Sequence, residues 1–319
     1  MITRTFLLVV LTLAAALAAS ATDFAKDMLA AGRVDEVISE LNGHLASAPS
    51  DAESSNLLCR AYYEREDWDH AESSCKRAAS LEPDNARFHL WLGRVYGEKA
   101  DRANVLAAVG LAEKARGEFE HAVQLNPNDV DARLDLAEFY VLAPRILGGG
   151  EQKAREQAQA IGTLNPGREH WVYARIAEQK KDAVTAEREY RQYIDLSKGA
   201  AEAWLNLAFF LRRQLRIEEM EQALVKLSQA PMSRLDALFD ASEILYRTGR
   251  NFPFATELLR RYLAAGPVEA APAFKARYLL GLLLEKQGDK AGAAQEYRAS
   301  LSLARNFGMA QQALNRVAP

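Results

Sequence analysis

A short proline-centred phrase recurs along this 319-residue chain and constrains its fold more than any other feature. The clearest copies are Leu81-Glu82-Pro83, Leu125-Asn126-Pro127 and Leu164-Asn165-Pro166, and weaker copies end at Pro49, Pro231 and Pro267. Pro49 and Pro83 lie 34 residues apart. Self-similarity at a period of about 20 to 50 residues is typical of proteins built from stacked repeats. Each period should therefore be one structural unit.

The residues before each proline follow the spacing of an amphipathic helix. Small and aromatic positions recur at Ala71, Cys75 and Ala78, at Ala115, Phe119 and Ala122, and at Ala255, Leu259 and Tyr262. A second amphipathic run lies farther upstream in each period, as in Trp91-Leu92-Gly93 with Tyr96. Proline ends the second run because it cannot continue the helical hydrogen-bond ladder. Each period thus predicts a pair of helices.

These features resemble the tetratricopeptide repeat, a 34-residue pair of antiparallel helices. The stretch AEAWLNLAFFLRRQLRIEEMEQALVKLSQAP (201–231) follows the family order but lacks its Gly-Asp turn, which ARYLLGLLLEKQGDKAGAAQEYRASLSL (276–303) supplies at Gly288-Asp289. The resemblance implies an all-α, right-handed solenoid of about eight antiparallel helical hairpins with a C-terminal capping helix. Small residues such as Gly93, Ala208 and Gly281 would let the paired helices approach closely.

The repeat pattern divides the mature chain into one solenoid, residues 22–319. The predicted hairpins are 22–51, 52–85, 86–129, 130–166, 167–200, 201–234, 235–269 and 270–307, with a cap at 308–319. The first hairpin and the C-terminal tail should act as end caps. The third hairpin is ten residues longer than the period and the fourth is five longer, so each carries an insertion between its helices. Insertions in adjacent repeats emerge on one edge, which is often a binding feature.

The first 21 residues, MITRTFLLVVLTLAAALAASA, have the form of a secretory signal peptide. Arg4 precedes an apolar run from Phe6 to Ala19, and Ala19 and Ala21 flank the expected cleavage after Ala21. The alternative is a retained anchor, although the run is shorter than a membrane-spanning helix needs. We therefore predict an exported bacterial protein, periplasmic or secreted, without stable membrane insertion after cleavage.

Composition and motifs argue against catalysis. A net charge of −3 indicates no affinity for nucleic acid. Gly148-Gly149-Gly150 lacks the spacing of a phosphate-binding loop and predicts a flexible connector instead. No His-Glu-x-x-His metal motif and no Gly-x-Ser-x-Gly nucleophile motif occur. The sequence predicts a protein that is not an enzyme and has neither a metal site nor a cofactor.

Two cysteines, Cys59 and Cys75, occupy opposite helices of the second hairpin. In an antiparallel pair that turns near residues 66–68, position 59 faces position 75. An oxidising compartment favours a disulfide between them. Two buried free thiols that fill space as small apolar groups are the alternative.

The resemblance implies that the first helix of each hairpin lines a concave groove. The groove positions transferred onto this chain include Arg60, Tyr63, Arg94, Trp171, Arg175, Phe209, Arg212 and Tyr278. Arginine and aromatic residues dominate interface hot spots. Acidic residues alternate with them along the same helices. The alternative for each position is therefore a solvent-exposed charged residue that binds no partner.

These observations predict a scaffold or adaptor in the bacterial envelope. Its groove would bind a protein or peptide partner, such as an acidic or C-terminal segment, because guanidinium groups bind carboxylates in bidentate fashion. A structural component of a secretion or polysaccharide-export assembly, held by the convex face or the insertion edge, is a second hypothesis. A groove for a small ligand or glycan, with Trp171 and Tyr278 as stacking residues, is a third.

Overall fold

The computed structural model describes residues 22–232 and 234–317, so the predicted signal peptide and its cleavage site lie outside the described residues. The helices are, in chain order, α1 (22–30 in the described part), α2 (Val34–Ser47), α3 (Ala52–Glu64), α4 (Trp68–Leu81), α5 (Ala86–Arg102), α6 (Val105–Leu125), α7 (Val130–Leu142), α8 (Glu151–Gly162), α9 (Pro166–Gln179), α10 (Ala183–Leu196), α11 (Ala201–Arg213), α12 (Ile217–Gln229), α13 (Asp236–Thr248), α14 (Phe252–Ala265), α15 (Ala273–Lys286), α16 (Lys290–Leu303) and α17 (Gly308–Val317). Consecutive helices pair into hairpins α1/α2 to α15/α16, and α17 follows the last pair. The predicted all-α repeat solenoid is confirmed.

Helix caps and turns follow from the local sequence. The carboxylates of Asp51 and Asp182 accept hydrogen bonds from the backbone N–H groups of Ser54 and Thr185, which have no partner within their helices. Gly288 adopts the left-handed conformation (φ 84°) that the predicted Gly-Asp turn requires. Three hairpins that lack this glycine place another residue in the same conformation, at Glu66 (φ 59°), Lys181 (φ 60°) and Leu215 (φ 57°). The turn geometry is therefore a property of the repeat, not of glycine alone.

Close helix pairing depends on small residues where two helices cross. A Cβ atom at Gly93 of α5 would lie 2.6 Å from Cε1 of Phe119 on α6, which is too close for a real contact. One turn later, Gly97 on the same helix has no atom within 4 Å of such a Cβ. The predicted close approach at Gly93 therefore occurs, and Gly97 provides a matched control position.

We expect Gly93→Ala to lower the free energy of unfolding by about 1–3 kcal/mol, because the added methyl group overpacks the contact with Phe119. Gly97→Ala should instead raise it by up to about 1 kcal/mol through helix propensity. Urea unfolding followed by circular dichroism measures both. Equal effects of the two substitutions would argue against close packing at Gly93.

Both insertions lie where the sequence places them, but only the second forms a loop. The first lengthens α5 to 17 residues and α6 to 21 residues, leaving residues 103 and 104 as the connection. The inserted residues lengthen both helices instead of forming a loop between them, because this Ala- and Leu-rich segment favours helix. The second insertion occupies residues 143–150 and contains a 3-10 turn, Arg145–Leu147.

The two ends of the solenoid contact each other. The Arg60 guanidinium of α3 binds the carboxylate of Glu269, with Nε 2.6 Å from Oε1. Nζ of Lys275 on α15 lies 3.1 Å from Oε2 of Glu64 on α3. The backbone N–H of Arg305 donates to Asp35, 2.6 Å away. We call these contacts and the apolar cluster beneath them the seam.

The apolar part of the seam is one buried cluster drawn from both ends of the chain. Leu29, Leu41 and Leu57 from the first two hairpins share it with Phe274 and Phe307 from the C-terminal end. Gly32 approaches α15 so closely that a Cβ atom there would lie 2.5 Å from the backbone nitrogen of Ala273. The end hairpins thus do more than cap the array, because they join head to tail and close it.

Cys59 of α3 and Cys75 of α4 form a disulfide, with their Cα atoms 5.1 Å apart. Both residues are fully buried. The bond therefore joins the two helices of one hairpin from inside its core.

Reduction should lower the free energy of unfolding by about 3 kcal/mol, the chain-entropy value for a loop of about 15 residues. Chemical unfolding with and without dithiothreitol measures this, and Cys59→Ala/Cys75→Ala should not respond to the reductant. Two titratable thiols in the unfolded, unreduced protein would contradict the bond.

Candidate functional site

Three of the four predicted groove arginines are paired with carboxylates of the chain itself. Nε of Arg94 donates to Asp135 at 2.6 Å. Arg175 binds Glu138 through Nε at 3.1 Å and Glu178 through Nη1 at 3.1 Å. Arg60 is held at the seam by Glu269, as described above. These guanidinium groups are therefore already neutralised.

The same pairing continues from hairpin to hairpin along the first helices. Arg168 of α9 binds Asp131 of α7 at 2.6 Å and Glu202 of α11 at 3.1 Å. Arg213 of α11 binds Glu178 of α9 at 2.7 Å. We call this series of pairs, together with those of Arg94 and Arg175, the ion-pair ladder. A ligand carboxylate could bind there only by displacing an internal one.

Arg175 illustrates the electrostatic state of the ladder. Burial lowers the pKa of its guanidinium, but hydrogen bonds and charge attraction from Glu138 and Glu178 more than offset this, so the pKa lies above its ordinary value. The side chain is only 17% exposed. Arg175 therefore stays charged and fixed.

The remaining predicted groove residues are packed against the chain. Nε1 of Trp171 donates to Oδ1 of Asn206 at 2.9 Å. Tyr278 packs edge-on against Phe307 with ring centroids 5.2 Å apart. Arg212 forms no ion pair among the described residues, and its guanidinium lies 5.6 Å from the ring centre of Phe209. Whether these residues bind a partner stays a prediction.

A cleft of about 830 Å³ opens instead between the two insertions. Of the predicted residues, Tyr63 and Arg94 line it. One wall is the extended part of α5 and α6, the opposite wall is the end of α7 with the 143–150 loop, and the first helices α3, α5 and α7 supply the inner end. We call this space the insertion cleft.

Large apolar side chains are exposed at this cleft. Val105 is 82% exposed and Ile146 is 90% exposed, on opposite walls. Val109 and Leu142 also line the cleft and are exposed, and Leu106 lies beside them in the sequence. Contiguous exposed apolar surface marks interaction sites far more often than single apolar side chains do. Sequence reasoning missed these residues, although apolar residues in an insertion outside the repeat pattern were a signal for them.

The loop wall is fixed by specific contacts. Nη1 of Arg116 on α6 donates to the carbonyl of Leu147 at 3.0 Å, and the N–H of Gly150 donates to the carbonyl of Tyr140 at 2.8 Å. A Cβ atom at Gly149 would lie 1.8 Å from the carbonyl oxygen of Ala143, so only glycine fits there. The three glycines, predicted as a flexible connector, instead allow the loop to pack tightly.

The polar lining of the cleft is predominantly acidic. Its lining carboxylates are Glu98, Asp101, Asp135 and Glu138, with Arg94 as the one basic lining residue in the described part of the chain. Burial raises the pKa of Asp135 above its ordinary value, although the charge and hydrogen bond of Arg94 oppose this. Burial and the nearby carboxylates of Glu98 and Glu64 raise the pKa of Tyr63. The cleft thus combines apolar walls with a negative electrostatic potential.

Metal-binding and membrane-spanning features are absent from the same part of the chain. Residues 22–232 and 234–317 contain no group of three or more His, Cys, Asp or Glu side chains placed to hold a metal ion. No helix in these ranges combines the length and the apolar character that crossing a membrane requires.

The sequence pattern of the tetratricopeptide repeat family matches residues 56–98 and 239–307. In these two segments the chain is similar to tetratricopeptide repeats. The first match ends at Glu98, where the first insertion begins to extend α5. No curated protein matches the sequence.

Solved structures support the tetratricopeptide fold. TTC0263, a thermophilic TPR protein of Thermus thermophilus, is 17% identical with a TM-score of 0.50, over 61% of this chain and 98% of that one. Yeast Tom70 is 15% identical with a TM-score of 0.54, over 89% of this chain and 58% of the Tom70 chain. At these identities the likeness concerns the fold alone. Tetratricopeptide solenoids are generally non-catalytic scaffolds for protein–protein interaction.

Proposed function

We propose that this tetratricopeptide protein is an exported scaffold that binds a protein partner in the insertion cleft. The observation that carries the proposal is the exposure of Val105 and Ile146 on facing walls of a cleft that none of the described helices fills. Burying such side chains is favourable by about 25 cal/mol per Å² of apolar surface. The cleft therefore offers a partner an apolar surface that the chain itself leaves uncovered.

The ion-pair ladder favours the cleft over the predicted groove. A partner carboxylate at Arg94 or Arg175 would gain one charge-assisted bond while breaking an existing one of similar geometry. Breaking a partly buried ion pair leaves an unpaired charge, which is strongly unfavourable. Binding of an acidic segment at these arginines is thus disfavoured, whereas the cleft walls have no internal partner to displace.

Export is proposed on the signal-like first 21 residues, and the disulfide supports it. Disulfides persist in oxidising compartments such as the periplasm and are rare in the cytosol. A fully buried pair joining two helices of one hairpin is structural in position rather than exposed to exchange. A second candidate is a structural role in an envelope assembly that holds this protein by its insertion edge. That role would use the same cleft, but the bound partner would be permanent rather than exchangeable.

Affinity-tagged protein in an envelope extract tests the proposal. We expect Val105→Asp/Ile146→Asp to lose the partner that the wild type retains, with at least about a tenfold loss of affinity if these side chains are hot spots. Val184→Asp is the matched control, because Val184 is 81% exposed near the start of α10 and Val105 is 82% exposed at the start of α6. Retention of the partner by the cleft variant, with an unchanged melting curve, would exclude the cleft.

A further inference from the structure

The insertion cleft lies beside a part of α6 that no neighbouring helix in the described part of the chain covers, and another helix could pack there. A 21-residue helix such as α6 is about 31 Å long, whereas the 12-residue α8 of the next hairpin is about 18 Å. The first two turns of α6 therefore extend beyond the second helix of the neighbouring hairpin. We call residues 105–112 the overhang. In a solenoid each hairpin is normally covered by its neighbour, and the overhang lacks that cover.

The side chains of the overhang are arranged as a helix-packing face. Val105, Ala108, Val109 and Ala112 all line the cleft, and their spacing of i, i+3, i+4 and i+7 places them on one side of α6. The two alanines are small enough to let another helix approach closely beside the two valines. Leu142 and Ile146 on the opposite wall supply apolar contacts for the other side of such a helix.

The charges of the cleft indicate which helix would fit. Arg94 pairs with Asp135, Arg175 pairs with Glu138, and Glu98 pairs with Arg102 of its own helix. Asp101 lines the cleft, is exposed and has no ion-pair partner among the described residues. The cleft thus keeps an excess of negative charge after its internal pairs are counted. An occupant with a positive charge is electrostatically complementary to it.

We propose that the occupant of the insertion cleft is an amphipathic α-helix of the partner protein, with its apolar face on the overhang and a lysine or arginine directed toward Asp101. This inference rests on the proposed function and names the chemistry of its partner. Helix-in-groove recognition reads apolar anchors at i, i+3, i+4 and i+7, which is the spacing that the overhang itself presents. The contact between this basic residue and Asp101 would set the orientation of the helix. The negative charge of the cleft would disfavour binding of an acidic segment.

Fluorescein-labelled peptides of about 15 residues, long enough for four helical turns, test the inference by fluorescence anisotropy. One carries leucines on a single helical face with lysines flanking them, a second replaces every lysine with glutamate, and a third scrambles the first so that no apolar face forms. We expect the lysine peptide to bind the wild type and Val184→Asp at least about tenfold more tightly than either of the other two. Asp101→Asn should weaken its binding about two- to fivefold, as expected for an exposed ion pair.

The cleft variant makes the test specific. Val105→Asp/Ile146→Asp adds negative charge, so non-specific attraction of a cationic peptide would increase, whereas insertion into the cleft should be lost. Equal binding of the scrambled peptide would overturn the helical occupant, and preference for the glutamate peptide would overturn the charge assignment. Sedimentation velocity tests whether a second copy of the chain occupies the cleft instead. If the wild type is a dimer and the cleft variant is a monomer, the inference of a partner helix is overturned.

Failure of this inference is distinguishable from failure of the proposed function. If no peptide binds but the extract partner is still lost by the cleft variant, the cleft is a binding site and the cationic helix is the wrong occupant. If the cleft variant retains the extract partner, the proposed function itself fails, whatever the peptides do.

Discussion

Raising the pH from about 5 to about 8 should destabilise the wild-type protein more than the Glu64→Gln variant, by a difference on the order of 3 kcal/mol. Glu64 lies at the seam with its side chain only 6% exposed, beside Lys275. Burial raises the pKa of its carboxyl to about 7; Lys275 and Arg60 oppose the shift, and Glu269 adds to it. Each pKa unit corresponds to about 1.36 kcal/mol, and the ordinary value is 4.5.

The sign follows from proton linkage. In the folded protein the carboxyl stays protonated up to about pH 7, whereas in the unfolded chain it ionises above about pH 4.5. The stabilisation is therefore complete below about pH 4.5 and is lost as the pH rises through about 7. The Glu64→Gln variant has no titratable group at this position, so its stability lacks this contribution. Burial also raises the pKa of Asp240 to about 7, but that residue is present in both proteins and cancels in the difference.

Urea unfolding of both proteins at intervals of about one pH unit across this range measures the difference. Lys275→Met is the matched second variant: removing the ammonium group that lowers the pKa of Glu64 should move the transition to higher pH. Parallel pH profiles for the wild type and Glu64→Gln would show that Glu64 is not buried at a closed seam.

Phe274→Ala should lower the free energy of unfolding by about 3–5 kcal/mol, the range for removing a buried phenylalanine ring. Phe274 is fully buried, and its ring packs edge-on against Phe307 with centroids 5.1 Å apart. The surrounding cluster includes Leu29 and Leu57 from the opposite end of the chain. The cavity would therefore weaken the contact between the two ends as well as the last hairpin.

Hydrogen exchange separates closure from general destabilisation. In Phe274→Ala, amide protection should fall in α2 and α3, which are far from residue 274 in sequence but share its cluster. Phe210→Ala is the control, because Phe210 is equally buried in the middle of the array and belongs to a different cluster. Unchanged exchange of α2 and α3 in Phe274→Ala would mean that the ends do not support each other.

The repeat pattern was sufficient to predict the helical hairpins, because it depends only on residues that are close together in the sequence. The spacing of residues such as Ala115 and Phe119 depends only on helical periodicity, and the prolines mark where second helices end. Closure could not be predicted in this way. It depends on small rotations accumulated over all the hairpins, and neither Gly32 nor Glu269 carries a motif that indicates a contact with the other end of the chain.

The ion-pair ladder has a sequence signal, although it is not a motif within one repeat. Arg175 and Glu138 are 37 residues apart, and Arg213 and Glu178 are 35 apart. These separations are close to one repeat, so the opposite charges fall on matching faces of consecutive first helices. The arginines and the acidic residues of the groove were treated as two independent sets in the sequence analysis, so these pairs were not detected. A search for an arginine and an acidic residue separated by about one repeat would have detected them.

Site-specific photocrosslinking in cells that make the protein compares the two candidate surfaces directly. Benzoylphenylalanine replaces either Leu142, which is exposed at the insertion cleft, or Phe209, a predicted groove residue on α11. We expect irradiation to yield a partner adduct from position 142 and none from position 209. An adduct from position 209 alone would place the partner in the groove and contradict the assignment of the insertion cleft as the binding surface.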